Sequence, residues 1–344
     1  MLHVNTKLVI KGDCMTETMN FGLDLGMGAL KLHGNQHSIQ FISQVAVNNG
    51  PLVGRMLGLG SSRLPLRITL PSGSTFFVDS GAHDSGRPVE NLSMDRFAGS
   101  PEMLALFYGA FTRLIQRSSI ISQPISITCG LPLETLSGDD ARTTVEGIQR
   151  WMKAEHSWKA NEQDYHLNVV EVRATSQPAG ALFDYVLDDE GKIVPERRSA
   201  YTQEVGVVSI GMNTTELLVV REKVPVQRFT GGSTTGVRRL LELVNGQQLY
   251  SLGELDTLLR ANKLDISQAL PIWEREVTGE IEKRWGKAWR RFTAVILVGG
   301  GAILLKNSLP YFFNGKGILA EDPIQSIARG LWKLSLFQNH NRKG

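Results

Sequence analysis

Cysteine is nearly absent: Cys14 and Cys129 are the two in the chain. They are too few to hold a metal by themselves, and both read as reduced thiols, Cys129 as a small buried apolar residue. No run of about 18 apolar residues occurs, which leaves no candidate for a membrane-spanning helix. The N-terminus lacks the basic-then-apolar pattern of a secretory signal, so a cytoplasmic protein is expected. Charge of one sign is scarce too. A formal net charge of +3 is too small to argue nucleic-acid binding. What remains is a globular composition, 42% hydrophobic and 21% charged, over 344 residues. That length allows two domains, each with its own core.

The stretch around which the chain is organised is Phe21-Gly22-Leu23-Asp24-Leu25-Gly26-Met27-Gly28-Ala29-Leu30-Lys31-Leu32. It reads as a strand, a tight glycine turn and a return strand. Glycine lets backbone N–H groups come close to phosphate oxygens, Lys31 answers their charge, and Asp24 can hold a hydrated divalent cation. The plain alternative is a β-hairpin whose turn needs glycine and nothing more.

Residues 1–19 are polar apart from Leu8-Val9-Ile10 and read as an extension, or as an edge strand at Lys7 to Ile10. Ser38 to Val47 alternates as a strand, and Arg67 to Val78 forms a hairpin about Pro71-Ser72-Gly73-Ser74. Gly81 to Asp95 has loop composition, with His83-Asp84 as a surface pair. Ser100-Pro101-Glu102 starts a helix that continues to Ile115, with a side-chain cap, proline at the first position and an acid in the first turn. A buried strand at Ile125 to Thr128 leads to Cys129-Gly130-Leu131-Pro132-Leu133-Glu134. An acid just past a strand end stands where open α/β sheets place reactive groups, although a solvent-facing acid fits as well. Asp139 to Glu155 reads as a helix, Leu167 to Val172 as a strand, and Gln177 to Val186 as a short helix. Asp188 to Arg198 reads as a linker, and a domain boundary is expected near Tyr201.

The pattern then begins again. Val205 to Val220 is a buried strand, a Gly211-Met212-Asn213 turn and a second β-branched strand, about 185 residues after the first hairpin. Two such hairpins suggest two like-folded lobes that approach one ligand from opposite sides. Thr230-Gly231-Gly232-Ser233-Thr234-Thr235-Gly236 feeds a helix carrying Arg238 and Arg239, and suits an anion or a flat ring. Leu252 to Ala261 and Ile266 to Trp289 read as helices. The basic end of the second, with Trp285 and Trp289, is a solvated face with its tryptophans inward. Ala294 to Val298 is a buried strand ending in Gly299-Gly300-Gly301, where backbone would lie flush against a ligand. Asp322 to Leu336 closes the chain as a helix whose Ala328 and Gly330 permit close packing, followed by a frayed tail at 338–344.

In this order the motifs resemble the actin superfamily, the ParM-like and archaeal actin-like proteins above all, over about Asn20 to Leu336. The first phosphate loop of that family runs Asp-x-Gly-x-x-x-x-Lys, matched by Asp24, Gly26 and Lys31. The resemblance implies an α/β, two-lobed fold of duplicated RNase H-like domains with a nucleotide cleft between them. Residues 20–200 would form the first domain, joined by the returning helix 322–337, and 201–321 the second. It implies ATP or GTP with Mg²⁺ against Gly26, Met27, Gly28, Lys31, Gly211, Met212 and Asn213. Gly231, Gly232, Gly236 and Arg239 would form a loop of the second lobe beside the nucleotide, and Gly299, Gly300 and Gly301 would lie along the adenosine. Asp24 would serve the metal, and Glu134 would orient the attacking water.

One position departs from the family pattern. The second phosphate loop opens with Asp in the family and with Ser209 here, while an acid later in the hairpin is present as Glu216. The expected activity, ATP hydrolysis coupled to polymerisation, therefore competes with a nucleotide-binding scaffold that does not turn over, and with a small-molecule kinase of the same superfamily. The expected partners are copies of the chain itself in a filament, plus a DNA-bound adaptor protein of the plasmid-segregation type. Direct nucleic-acid and membrane contacts are not expected.

Overall fold

A computed structural model describes residues 18–47, 50, 64–90, 93–118 and 123–343. The extension and the alternative edge strand at Lys7 to Ile10 lie outside the described residues, and Met19 already belongs to the first strand.

Among the described residues the strands fall into two sheets. The larger grows from the first glycine hairpin. Met19–Leu25 pairs antiparallel with Ala29–His33, which in turn pairs with Ser38–Ile42. On its other edge Met19–Leu25 runs parallel to Ile125–Leu131, and that strand runs parallel to Gln163–Ser176. The sheet then continues antiparallel through Glu155–Ala160, Leu66–Thr69, Thr75–Val78 and Val45–Val47. The smaller sheet repeats the first sequence of pairings. Glu204–Ile210 pairs antiparallel with Thr215–Arg221 and parallel with Val295–Val298, which is parallel to Gly317–Leu319. Every residue of Ile125–Leu131 and Val295–Val298 is buried, as strands covered on both faces require. The architecture is α/β, built twice.

Helix Pro101–Ser118 covers the larger sheet, and the Ser100 hydroxyl accepts a bond from Met103 N at 3.3 Å, the cap its sequence specifies. Cys129 is a free, fully buried thiol. Helix Leu270–Trp285 buries Trp273, Val277, Ile281 and Trp285 against the smaller sheet. It ends four residues before the expected Trp289 because Gly286 takes a φ of 50°.

Three other expectations change. The helix read to Glu155 ends at Met152, and Glu155–Ala160 is a strand that buries His156, Trp158 and Ala160 while exposing the residues between them. Charged and polar residues on the outer face hid that alternation. Gly81 to Asp95 holds a short helix at Ala82–Ser85, and His83 is half-buried against Gly253 of helix Leu252–Arg260 rather than a surface residue. The closing helix runs from Ser326 to Lys343, so 338–343 is no frayed tail. Gln338 and Asn339 both accept bonds from Arg173, at 3.1 and 3.3 Å.

The closing helix crosses helix Gln177–Val186 at glycine on both sides. A side chain on Gly330 would strike Gly180 O and Asp184 N, and one on Gly180 would strike Ile327 O. At the same crossing Arg329 donates two bonds to Asp184, at 2.6 and 2.8 Å, and Lys333 lies 3.2 Å from it. Burial pushes the Asp184 carboxyl up, but Arg329 and Lys333 outweigh it and hold the group below its ordinary value.

Gly330→Ala is expected to destabilise the protein by about 2 kcal/mol or more, since overpacked helix contacts cost about 1–3 kcal/mol. Gly279→Ala, in helix Leu270–Trp285 with nothing within 4 Å of the added carbon, should instead stabilise by about 0.5–1 kcal/mol. Urea unfolding of the two variants beside the wild type measures both signs.

Candidate functional site

The two glycine hairpins face each other. Between them lies a cavity of about 560 Å³, in the range of small-molecule sites. Its floor is Asp24, 1% exposed at the end of the first strand. Cross-strand pairing sets Lys31 opposite Asp24, and the ammonium donates to Asp24 Oδ2 at 2.9 Å. The other carboxylate oxygen accepts from Gln177 Nε2 at 2.8 Å, the first residue of the helix that leaves the larger sheet. Gly26 has no room for a side chain, which would meet Lys31 Nζ at 2.9 Å. Gly28 is where the hairpins touch, for a Cβ there would lie 2.7 Å from Met212 Cβ.

The second hairpin supplies Ser209, Gly211, Met212, Asn213 and Thr214 to the wall. Gly299 follows strand Val295–Val298 with a φ of 91° and packs on the Ile210 backbone, a conformation that favours glycine. Beside Gly300 the space is open, with Ile324 Cδ1 3.8 Å from where a Cβ would sit. Helix Leu252–Arg260 closes the cavity with Asp256 and Arg260, which pair at 2.8 Å. Arg260 also donates to Gly28 O at 3.4 Å, and Gln44 Nε2 donates to Gly253 O and Thr257 Oγ1 at 3.1 and 3.0 Å. Both contacts bridge the larger-sheet and smaller-sheet lobes.

Residues 22–180 match the family model described as the N-terminal domain of actin-like proteins. No curated protein matches the sequence. Solved structures match nearly the whole chain. The actin-like protein Alp7A is 14% identical, with a TM-score of 0.74, over 95% of this chain and 98% of that one. An archaeal actin homologue, Ta0583 in complex with ADP, is 18% identical with a TM-score of 0.68, over 94% of this chain and all of that one. A ParM from Clostridium botulinum, seen in a 15-stranded filament, is 18% identical with a TM-score of 0.69, over 94% and 99%. The fold is that of the actin-like proteins.

In this actin-like fold the cavity gathers Asp24, Gly26, Met27, Gly28, Lys31, Gly211, Met212, Asn213, Gly299 and Gly300. The remaining expected residues stand elsewhere. Gly301 packs against Ile210 and Trp273. Gly236 lies against the Met212 and Asn213 backbone, and the N–H groups of Val237 and Arg238 are taken by Gly211 O and Met212 O at 3.0 and 2.7 Å. The amides at the start of that helix therefore hold the hairpin, while Val237 lines the cavity. Gly231 and Gly232 belong to a short strand on Thr215–Arg221, and Arg239 is paired with Glu276 at 2.8 Å through two bonds. Glu134 is exposed in the turn Leu133–Leu136 and does not line the cavity, although Pro132 does.

Residues that sequence reasoning missed are Gln177, Asp256, Arg260 and Asn262. Gln177 had a signal, a polar residue between the helix cap Ser176 and Pro178 at a strand end. The others had none, because nothing local tells which face of Leu252–Arg260 meets a hairpin more than 200 residues away.

Asp24 as a single carboxylate beside a phosphate-sized space fits Mg²⁺, which takes one or two carboxylates and completes its shell with phosphate and water. Among the described residues no group of three or more His, Cys, Asp or Glu could cage a metal by itself. Glu216, a buried acid outside the cavity lining, is 2% exposed and directly across the strand pair from Ser209. Its Oε1 accepts from Leu133 N at 2.6 Å, and Oε2 has no partner among the described residues.

Burial pushes Glu216 up to about 8; the Leu133 bond pulls it down, and the charges of Asp24 and Glu134 raise it further. Its contribution to stability is thus fully present below the ordinary carboxyl value and is lost as pH rises to about 8. Across that window the folded chain keeps a proton that the unfolded chain has shed, so stability falls by up to about 1.4 kcal/mol per pH unit. Glu216→Gln should remove this slope. Urea midpoints of nucleotide-free protein at pH 5.5, 6.5 and 7.5 measure it in both proteins.

Proposed function

We propose that the chain binds Mg-ATP between its lobes, hydrolyses it and assembles head to tail into filaments of the DNA-segregation type. The observation that carries this reading is the paired glycine hairpins enclosing Asp24 and Lys31 in a cavity large enough for a nucleotide. Support comes from the archaeal homologue, which was solved with ADP, and from the ParM filament. In this reading residues 20–200 and 201–321 form the two domains, and the closing helix returns to the first.

The phosphates lie along the backbone of Gly26, Gly28, Gly211 and Met212. Lys31 turns from Asp24 to a phosphate oxygen, Asp24 holds the hydrated cation, and Gly299 and Gly300 give room along the adenosine. The cation supplies charge compensation for phosphoryl transfer, which is mostly a matter of positioning. Glu134 is the acid that orients water, brought inward from its exposed position as the lobes adjust around the ligand. Subunit contacts then follow the lobe angle, and a head-to-tail contact that does not close on itself yields a filament. The protein acts in the cytoplasm, with a DNA-bound adaptor as its second partner; among the described residues no helix is long and apolar enough to cross a membrane.

Ser209 favours a second reading, nucleotide binding without turnover, because it leaves Asp24 as the principal carboxylate for the metal. Phosphate release with ATP and Mg²⁺, rising above a critical protein concentration together with pelletable polymer, is the expected result. ATP binding with no phosphate release, in the wild type and in Ser209→Asp alike, would establish the second reading. Asp24→Ala should lower Mg²⁺-dependent turnover on the order of 10²-fold or more, the scale of losing one charge-stabilising group.

A further inference from the structure

A buried hydrogen bond joins the two lobes beside the cavity, away from the tip of either glycine hairpin. Leu133 N, in the larger-sheet lobe, donates to Glu216 Oε1 in the smaller-sheet lobe at 2.6 Å. Glu216 stands on Thr215–Arg221 opposite Ser209, and paired residues of an antiparallel ladder share a face. Leu133 is the residue before Glu134, in the turn Leu133–Leu136 that follows strand Ile125–Leu131. From its own lobe this turn is held by Ser137, whose hydroxyl donates to Leu133 O at 2.7 Å, and by Thr135 N, which donates to Pro132 O. The short strand Gly231–Ser233 lies against the turn from the other lobe, next to the Glu216 side chain.

A backbone N–H and a carboxyl group, both buried, stand to lose about 1–3 kcal/mol if parted without water. That cost fixes the turn to the second lobe more firmly than any surface contact could. A turn held from one lobe alone would place Glu134 by the larger sheet only. Held from both, its position reports the distance between the lobes.

We infer that Glu216 is a positioning residue: its carboxyl straps the Glu134 turn to the strand that carries Thr215, so that the water-orienting acid is aligned only when the lobes are together. This rests on the hydrolysis reading for its catalytic consequence, and on geometry alone for the strap. It also gives Gly232, whose backbone passes beside the Glu216 side chain, a role as a wall of the strap, in place of the ligand contact expected of it.

The test uses full-length protein and three substitutions. Glu216→Leu keeps the volume and removes the acceptor. Leu133→Pro removes the donor from the other side, and Pro132, with φ −55° and ψ 146°, already has the extended backbone that a following proline requires. Glu216→Gln keeps an acceptor and cannot ionise. Hydrogen exchange of the peptide containing Leu133 is measured in each without nucleotide, alongside kcat for phosphate release and the Kd of a fluorescent ATP analogue.

The expected result is loss of Leu133 protection in Glu216→Leu and its retention in Glu216→Gln. In Glu216→Leu and Leu133→Pro, kcat should fall on the order of 10²-fold with Kd within about threefold, the cost of a misplaced catalytic group. Glu216→Gln should recover most of that loss. Unchanged Leu133 exchange in Glu216→Leu would overturn the strap whatever the activity. Exchange that changes while kcat holds would overturn the positioning role. If Glu216→Leu does not fold, Leu133→Pro decides by the same split between kcat and Kd. Wild-type protein that binds ATP and releases no phosphate would refute the hydrolysis reading, and the exchange comparison would still decide the strap.

Discussion

Two helices cross where neither can carry a side chain, and the rest of the molecule depends on that crossing. Gly180 and Gly330 bring the backbones of Gln177–Val186 and Ser326–Lys343 into contact, and the closing helix also rests on Gly22 of the first strand, where a Cβ would strike Ala328 O. Behind this contact a single apolar cluster joins Ala181, Leu182 and Val186 to Val205, Val207 and Ile296 of the smaller sheet and to Ile327 and Leu331 of the closing helix. The two sheets are thereby tied at one end. Asp184 is a buried acid in that contact, and it is answered by Arg329 and Lys333, so burying it leaves no uncompensated charge. With the base fixed, the far ends of the lobes define the cavity.

Those far ends meet through polar and small groups. Gln44 reaches helix Leu252–Arg260, Arg260 reaches Gly28, and Met212 lies against Gly28. None of these contacts has the apolar area of the base. A structure stiff at one end and lightly bonded at the other moves by opening at the light end. Asp24 on the cavity floor and Glu216 beside the cavity lie between these two regions, where a change in lobe separation alters what each carboxyl group faces.

Much of the fold was legible because its strands are buried and repeated. Val205 to Val220 declared itself by its likeness to the first hairpin, and the Val295–Val298 strand by its unbroken apolar run. Strand Glu155–Ala160 was illegible because its exposed positions carry the charged Glu155 and Lys159, and Glu155 read as the end of the preceding helix. In the candidate site the glycines of the hairpin turns were legible, since glycine is constrained by what its own backbone approaches. The Thr230–Gly236 loop misled for a related reason. Its small residues do admit a close neighbour, but that neighbour is the protein's own hairpin. Arg260 and Asp256 were beyond local reasoning, because their place is set by how one lobe closes on the other.

The Asp24 carboxylate is never idle. One oxygen is held by the Lys31 ammonium and the other by the Gln177 amide. Filling the cavity is therefore an exchange of partners and not an addition of bonds to a vacant anion. Any cation drawn to Asp24 competes with a tethered ammonium whose local concentration the fold has set. A monovalent ion offers the carboxylate little that Lys31 does not already supply. A divalent ion arriving with a polyanion offers more on both sides, because the ammonium it displaces finds a new counter-charge one bond away. In the proposed nucleotide-binding reading, the site's resting ion pair would work as a threshold that yields to a ligand bringing both charges at once.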